Sequence, residues 1–598
     1  MKRILAVLLA LFCLLSLVGC SKKETVEKSN NETVAIDKVV ESEDFDWEYD
    51  ETESVRITLN KNSAESSSDS VRISEGVITI TKEATYIISG TLDNGMIIVD
   101  TTKKAKPRLV LDGTDITSKD SAGLYILEAD KVTVTLAEGT QNRIANTSGF
   151  ENSVDEKIDG AVFSKKDLVF NGKGSLSVES AKGHGICAKD ELSIVQGEYR
   201  INAKLHAFDV NDCVVINDGT FVLESGKDGI HCENNEDENC GFIYIENGDF
   251  DITSSGDGIS SGSYLQIANG RYNIKSGGGS ENASEKSSDD WGMRPNGNTG
   301  NYKLSVTQSS ETESTKGFKS KVWMKISAGE FDVNSADDSF HCATEMNIEG
   351  GIFNISTGDD AFHSDETMNI LGGCINISKC YEGFEALNIT ISGGELTAFA
   401  DDDGINAAGG SDSSGFRGPF SGNSSSGSIV ISGGTLNISA NGDGIDSNGS
   451  LSVTGGNIYI DGPTYGDTST LDYETEGSVS GGVFVGTGAV GMNMCFDSSS
   501  SQGVIMIASS GKGGSIITLA NSKGETVIEH TAKQDFDCVI LSSADIVSGE
   551  SYTLSIDTTT KEITMTSLIY SEMHSFGGMP GGNPGGPGGN PGGMRPFR

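Results

Sequence analysis

Proline, aromatic side chains and basic residues are all scarce in this chain of 598 residues. Only 9 prolines and an aromatic content of 7% stand beside 77 glycines. That balance speaks against a helical bundle and suits short strands joined by many tight turns. The basic deficit is larger still: 43 Lys and Arg face 86 Asp and Glu, a formal net charge of −43. Nothing in such a chain offsets phosphate repulsion, which argues against nucleic acid as a partner. Cations and neutral ligands are compatible with it, and an acidic ligand would need cations as a bridge.

Paired cysteine motifs are missing too. Beyond Cys20 the cysteines stand at 187, 213, 232, 240, 342, 374, 380, 495 and 538, with no CxxC among them. This is neither a zinc pattern nor a clear disulfide framework. Most lie in strand-like runs and read as small apolar core residues. Cys232 and Cys240, which flank "ENNEDEN", are the pair best placed for a disulfide. After the N-terminus no apolar run is long enough to span a bilayer. At the N-terminus "MKR" is followed by "ILAVLLALFCLLSL" and by Leu17-Val18-Gly19-Cys20. This reads as an export signal with a lipobox, cleaved before Cys20 and lipidated on its thiol; an ordinary signal or short anchor is the alternative.

Residues 21–54 are polar and acidic without periodicity, the composition of a flexible tether. Strand-like runs fill 55–171, an N-terminal β region or first coils. From 172 to 482 a repeat takes over, with units opened by glycines 174, 197, 219, 248, 270, 329, 351, 373, 394, 434 and 456. Most steps are 21 to 23 residues, and longer ones coincide with inserts near 233–240, 277–315 and 410–427. A unit of this length with three short strands cannot bury its apolar face alone, whereas stacked units can. The expected architecture is an all-β, right-handed parallel β-helix with three strands per coil. Residues 483–570 lose the period and predict a small antiparallel β domain over the open end. The Gly/Pro-rich 571–598 reads as a disordered tail.

Counting from each leading glycine lines up columns. Nine residues on stand Asp228, Asp257, Asp338, Asp360, Glu382, Asp403 and Asp443; two further on, an Ile/Phe column must face the core. A second acid precedes the first at Asp337, Asp359 and Asp402, with Tyr381 in that place between them. Twelve on come His231, His341, His363, Glu385, Asn406 and Asp446, and the interrupted unit puts Lys316 and Lys319 in register. Stacked strands bring equivalent residues about 4.8 Å apart. Unit charges at that spacing repel by roughly 3 kcal/mol at an effective dielectric near 20. Raised pKa values, lysines or bound cations must answer this. Carboxylate oxygens clustered in turns point to Ca²⁺, with Asp337, Asp338, Asp359, Asp360, Glu382, Asp402, Asp403 and Asp443 as its candidate ligands. Capping of backbone N–H groups is the competing role, favoured for the single acids at 228, 257 and 443. His341 and His363 would stack as ligands, sugar contacts or part of a solvated face, while His184 and His206 fall outside the pattern.

The lipobox, "ITITKEATYIISGTLDNGMIIVD", "SADDSFHC", "KCYEGFEALNITISGG", "ADDDGINAAGG" and "NGDGIDSNGSLSVTGGNIYIDGPT" together resemble one family of bacterial surface proteins. It is the carbohydrate-binding β-helix family known from a cellulose-degrading anaerobe. The resemblance covers most of 55–570 and implies a polysaccharide-lyase-like right-handed β-helix with calcium. It implies binding of cellulose or of acidic sugars such as polygalacturonate, without established catalysis. Lys316 in the acid column and the long inserts depart from it.

Three functions follow. A non-catalytic, monomeric binding module on the cell surface would use Ca²⁺ for rigidity and for bridging to uronates. Tyr381, Tyr465, Tyr473 and Trp291 are its candidate stacking residues, with His341 and His363 beside them. A calcium-dependent lyase would need a base, for which Lys379, aligned with Thr357 one coil from Asp359 and Asp360, is the candidate. A structural or adhesive spacer would need no sugar face.

Overall fold

The computed structural model describes residues 42–572 except 152, 238, 284–313, 409–426 and 465–467. Cys20, Trp291 and Tyr465 therefore lie outside the described residues, as do the tail beyond 572 and most of the two longest inserts. Among the described residues there are strands and two short 3₁₀ turns, and no helix is long and apolar enough to cross a membrane.

Near the N-terminus Ser63–Glu65 and Val71–Ser74 each pair antiparallel with an adjacent strand. Through the repeat each strand instead pairs in parallel with its equivalent one unit further along the chain, which gives three stacks. In the first, Glu198–Ala203, Thr220–Ser225, Asp249–Ser254 and Arg271–Ser276 follow one another. In the second, Phe208–Val210, Ile230–Cys232 and Ile259–Ser261 do the same. Cys213–Ile216, Phe242–Ile245 and Tyr264–Ile267 belong to the third. The register carries across the longest insert, since Ile259 pairs with Phe318 and Arg271 with Glu330. The stacking also begins early: Val55–Lys61 pairs with Thr85–Leu92, then Arg108–Ser118, then Gln141–Asn146. Residues 55–171 are thus coils of the same array. At the other end Val483–Gly488 adds in parallel to Asn457–Asp461 but pairs antiparallel with Phe536–Ser543. That switch, with a four-stranded antiparallel sheet within 516–564, closes the exposed edge.

Alternation along the strands sends every second side chain inward. Tyr199, Phe221, Phe250, Tyr272, Phe331 and Phe353 stack ring on ring at 4.6–5.2 Å. A second ladder of Phe318, Phe340, Phe362 and Phe384 meets the first edge-on. The leading glycines make this possible. Gly219 has φ +144°, and a Cβ there would lie 2.9 Å from the Phe221 ring.

None of the nine described cysteines is in a disulfide, and seven are buried. The expected Cys232–Cys240 disulfide is not formed. Cys232 faces inward from a stack strand with Sγ 3.8 Å from the Asn211 carbonyl, while Cys240 sits in a part-exposed turn.

Removing one rung of the ladder should be costly. Phe331→Ala should lower stability by about 3–5 kcal/mol in urea denaturation. Asp332→Ala on the exposed side of the same strand should change it by less than about 0.5 kcal/mol. Equal effects would show that the ladder does not hold the coils together.

Candidate functional site

The turn that enters each second-stack strand places two side chains outside the core, flanking one that points in. In Asp228-Gly229-Ile230-His231, Ile230 is fully buried while Asp228 and His231 sit side by side at the edge. Repeated over the coils, this builds a two-column strip of titratable groups.

One oxygen of most column acids has a fixed task. Asp228 Oδ1 accepts the N–H of Asp257 at 2.8 Å, and Asp257 Oδ1 that of Lys316 at 2.8 Å. Asp338 caps Asp360 at 3.1 Å, Asp360 caps Glu382 at 3.2 Å, and Asp403 caps Asp443 at 2.5 Å. Asp443 accepts from the N–H of Ser469. The period of the acids is therefore the period of backbone donors that the turn leaves unpaired. The inner members of the doubled pairs cap like the single acids. Their outer partners are surplus to this role, although Asp337 also caps the Asp338 N–H at 3.0 Å.

The second oxygens carry the electrostatics, and these change along the strip. Lys316, only 5% exposed, puts Nζ 2.6 Å from Asp338 and 3.1 Å from Asp337. His341 Nδ1 lies 3.0 Å from the same Asp338 oxygen. Burial alone would raise the Asp338 carboxyl, but Lys316 and His341 hold it well below the usual range. His363 is a buried hub, with Nδ1 3.0 Å from Asp360 and 3.1 Å from Glu385, and Nε2 3.4 Å from Asp365. Against the effect of burial, these carboxylates push it up to about 12, so it is an imidazolium.

Beyond His363, within the described residues, no cation is among the groups that shift Glu382, Asp403 or Asp443. Burial and then neighbouring acids push Glu385 up to about 9 and Glu382 and Asp403 well above the carboxylate range. Asp443, raised mainly by burial, reaches about 6. Asn406 Nδ2 donates to Glu382 at 2.9 Å, and the buried Asn406 Oδ1 accepts no hydrogen bond, while Glu385 Oε2 faces the His363 imidazolium at 3.1 Å. Buried oxygen acceptors without donors suit a hard cation such as Ca²⁺. A second set of converging oxygens is formed by Asp337, Asp338 and Asp359, all within 4.8 Å of one another.

The opposite end of the strip carries histidines that sequence reasoning set aside. His206 aligns with Asp228, and its Nδ1 accepts the Asp228 N–H at 3.0 Å, so a neutral imidazole does the work of a carboxylate. Burial lowers its pKa to about 4, which keeps that lone pair free to accept. His184, His206 and His231 stack at 5.1 and 4.3 Å. The signal was present, because His206 stands nine residues after Gly197.

Other candidates are placed elsewhere. Tyr473 is buried, with its hydroxyl donating to the Cys495 carbonyl at 2.6 Å, and it offers no face to a sugar. His363, 2% exposed, is equally closed to one. His341 and Tyr381 are half-buried; a hydrogen bond to Asp402 adds to burial in raising the Tyr381 hydroxyl. A bulge at Ser378 shifts the register, so that Lys379 pairs with Ser356 and not Thr357. Its Nζ donates to the Ser280 carbonyl at 2.8 Å, away from the acid strip.

Lys316 should therefore be a stability residue. Lys316→Met would strand the buried Asp338 charge and should cost roughly 3–5 kcal/mol. The double variant with Asp338→Asn should recover part of that loss in chemical denaturation. A single variant as stable as the parent would remove Lys316 from this role.

Residues 74–361 and 359–523 match the family described as carbohydrate-binding domain-containing protein. A protein of that description from Acetivibrio thermocellus is 31% identical over 250 residues, 41% of this chain and 82% of the relative. A solved structure described as the polysaccharide lyase-like protein from C. thermocellum, gadolinium derivative, shares 32% identity with a TM-score of 0.37. The match covers 38% of this chain and 92% of that one. The chain belongs to the carbohydrate-binding domain-containing protein family.

Proposed function

We propose that this protein is a non-catalytic carbohydrate-binding module, wound as a right-handed parallel β-helix, that holds Ca²⁺ along its carboxylate strip. The observation that carries the metal reading is the section from Glu382 to Asp443, where, among the described residues, Glu382, Asp403 and Asp443 are buried or half-buried without a paired cation and the buried Asn406 Oδ1 beside Glu382 accepts no hydrogen bond. Glu382, Asp402, Asp403 and Asp443 would hold an ion there, whereas Asp337 and Asp338 already have the Lys316 ammonium between them. Calcium takes six to eight oxygens in flexible geometry, which turns of this kind can supply. Bound ions would also let a chain of net charge −43 approach a uronate polymer, and cellulose-like polymers need no such bridge. Cleavage and lipidation at Cys20 would tether the module to the outer face of the bacterial membrane. The lyase reading has no support in the surroundings of Lys379, whose ammonium is engaged with a backbone carbonyl.

Chelation should lower the melting temperature by several degrees. Asp402→Asn with Asp403→Asn should remove most of that sensitivity, since an amide oxygen can still cap Asp443 but carries no charge. A melting curve indifferent to chelator in the parent protein would leave capping as the whole role of the acids.

The metal-free protein should also lose stability from pH 7 to pH 9. Glu385 titrates at about 9 in the folded chain, against roughly 4.3 when unfolded. Across that interval the folded state holds a proton that the unfolded state has lost, so stability declines as pH rises. His363, raised to about 12, acts in the same direction above its unfolded value. The slope is at most roughly 1.4 kcal/mol per pH unit for each group, and added Ca²⁺ should flatten it. A flat profile in chelator would mean that the acids are neutralised in another way.

Polygalacturonate should yield no rise in ultraviolet absorbance from unsaturated products, with or without Ca²⁺. Product formation that disappears in Lys379→Ala would overturn the non-catalytic assignment.

A further inference from the structure

A second concave feature lies at another corner of the coil, where each third-stack strand turns into the next first-stack strand. It is a groove of about 610 Å³ that crosses successive coils from Gly172 to Glu330. Its floor includes the left-handed glycines 197, 219, 248 and 270, with φ between +130° and +147°. Cβ atoms here would press on the core rings of Tyr199, Phe221, Phe250 and Tyr272, so the trough is floored by backbone between two rows of polar side chains. One row is Gln196, Asp218, Asn247 and Asn269. Here Asn247 Nδ2 donates to Asp218 at 3.1 Å and Asn269 Nδ2 to Asn247 at 3.3 Å, so the amides are held in a line. The other row includes Glu198, Thr220, Asp249 and Arg271, the last two joined by an ion pair with Arg271 Nε 3.1 Å from Asp249 Oδ1.

We infer that this groove is the glycan cleft, and that it takes a neutral, extended polysaccharide running along the coil axis; this rests on the carbohydrate-binding reading above. Three features point there. First, the lining repeats at the coil spacing of about 4.8 Å, a step comparable to one sugar ring, so a linear polymer meets an equivalent set of groups at each coil. Second, amide and guanidinium donors alternate with carboxylate acceptors, which is what hydroxyls require, being donors and acceptors at once. Among the described residues no large apolar side chain lines the groove to anchor a peptide. Third, Glu198, Asp218, Asp249 and Glu330 outnumber Lys173 and Arg271, so a chain of uronates would be repelled. With hydrogen bonds to exposed polar groups and no aromatic floor, affinity should come from several rings bound in series.

The full-length protein is titrated calorimetrically with a neutral β-1,4-linked glucohexaose and with hexagalacturonate, each in chelator. Variants are Asn247→Ala with Asn269→Ala, which cuts the amide row, and Thr220→Leu, which fills the trough with a branched apolar side chain that offers hydroxyls no partner. Lys523→Ala, in an exposed turn of the four-stranded antiparallel sheet within 516–564, is the control. The parent and control should bind the neutral hexamer, and both groove variants should bind it at least tenfold more weakly with unchanged melting temperatures. Hexagalacturonate should bind at least tenfold more weakly than the neutral chain. If the parent binds while the groove variants match it, the cleft lies elsewhere and the carbohydrate-binding reading stands. If hexagalacturonate binds as tightly as the neutral chain in chelator, the selectivity is wrong. If the parent retains neither these hexamers nor immobilised polysaccharide, the carbohydrate reading itself falls.

Discussion

Parallel backbone pairing between successive coils is the constraint on which everything else here depends. Once Phe331 pairs with Phe353 and His341 with His363, every position stands over its own equivalent, about 4.8 Å away. The consequence differs with chemistry. For rings it is favourable: stacked and edge-on aromatic contacts are worth about 0.5–1.5 kcal/mol beyond their buried area. For acids it is a liability, because the same spacing lines up like charges.

The chain answers that liability in three ways along one strip. At the N-terminal end an uncharged group does the structural work, as His206 caps the next coil through a lone pair. In the middle, cations interleave with acids: Lys319 lies 3.5 Å from Asp257, Lys316 is wedged against Asp338, and His363 is shared by Asp360 and Glu385. Towards the C-terminal end the described residues show neither device at Glu382, Asp403 or Asp443, and these carboxyls respond by rising in pKa. Capping explains why an oxygen recurs at each turn, but not why a full carboxylate is kept where a neutral Asn would cap as well. That difference directs the ion-binding reading to the section from 382 to 443 rather than to the whole column.

Much of this was legible in the sequence, and the failures have physical causes. Fixed offsets from the leading glycines located the acid column, the inward Ile/Phe column and the register of Lys316 across a long insert. The period is set by the backbone, so side-chain variation hardly disturbs it. His206 was missed because the column was defined by charge rather than by the capacity to accept an N–H. Lys379 was misplaced because one inserted residue, Ser378, moves the register, and counting cannot detect a bulge. Tyr473 looked available because it follows a turn, yet its ring lies inward with its hydroxyl satisfied by a carbonyl two segments later. Cys232 and Cys240 are close in sequence, but the strand fixes one of them into the core.

The two candidate ligand surfaces also divide the labour of a coil. The acid strip borders the start of the second-stack strand, where one buried oxygen is committed to the backbone and the other is left for a cation. The groove borders the start of the first-stack strand, where backbone N–H groups are paired with carbonyls of the preceding coil, as Thr220 N–H is with Gly197, and no side-chain oxygen is needed to cap them. Buried, charged and tied to the turns, the strip suits ions that consolidate the stack. Exposed and nearly balanced in donors and acceptors, the groove suits a ligand that exchanges its hydration for weak hydrogen bonds repeated at each coil. A repeat protein can separate these roles because each corner of the coil is multiplied along the axis independently of the others.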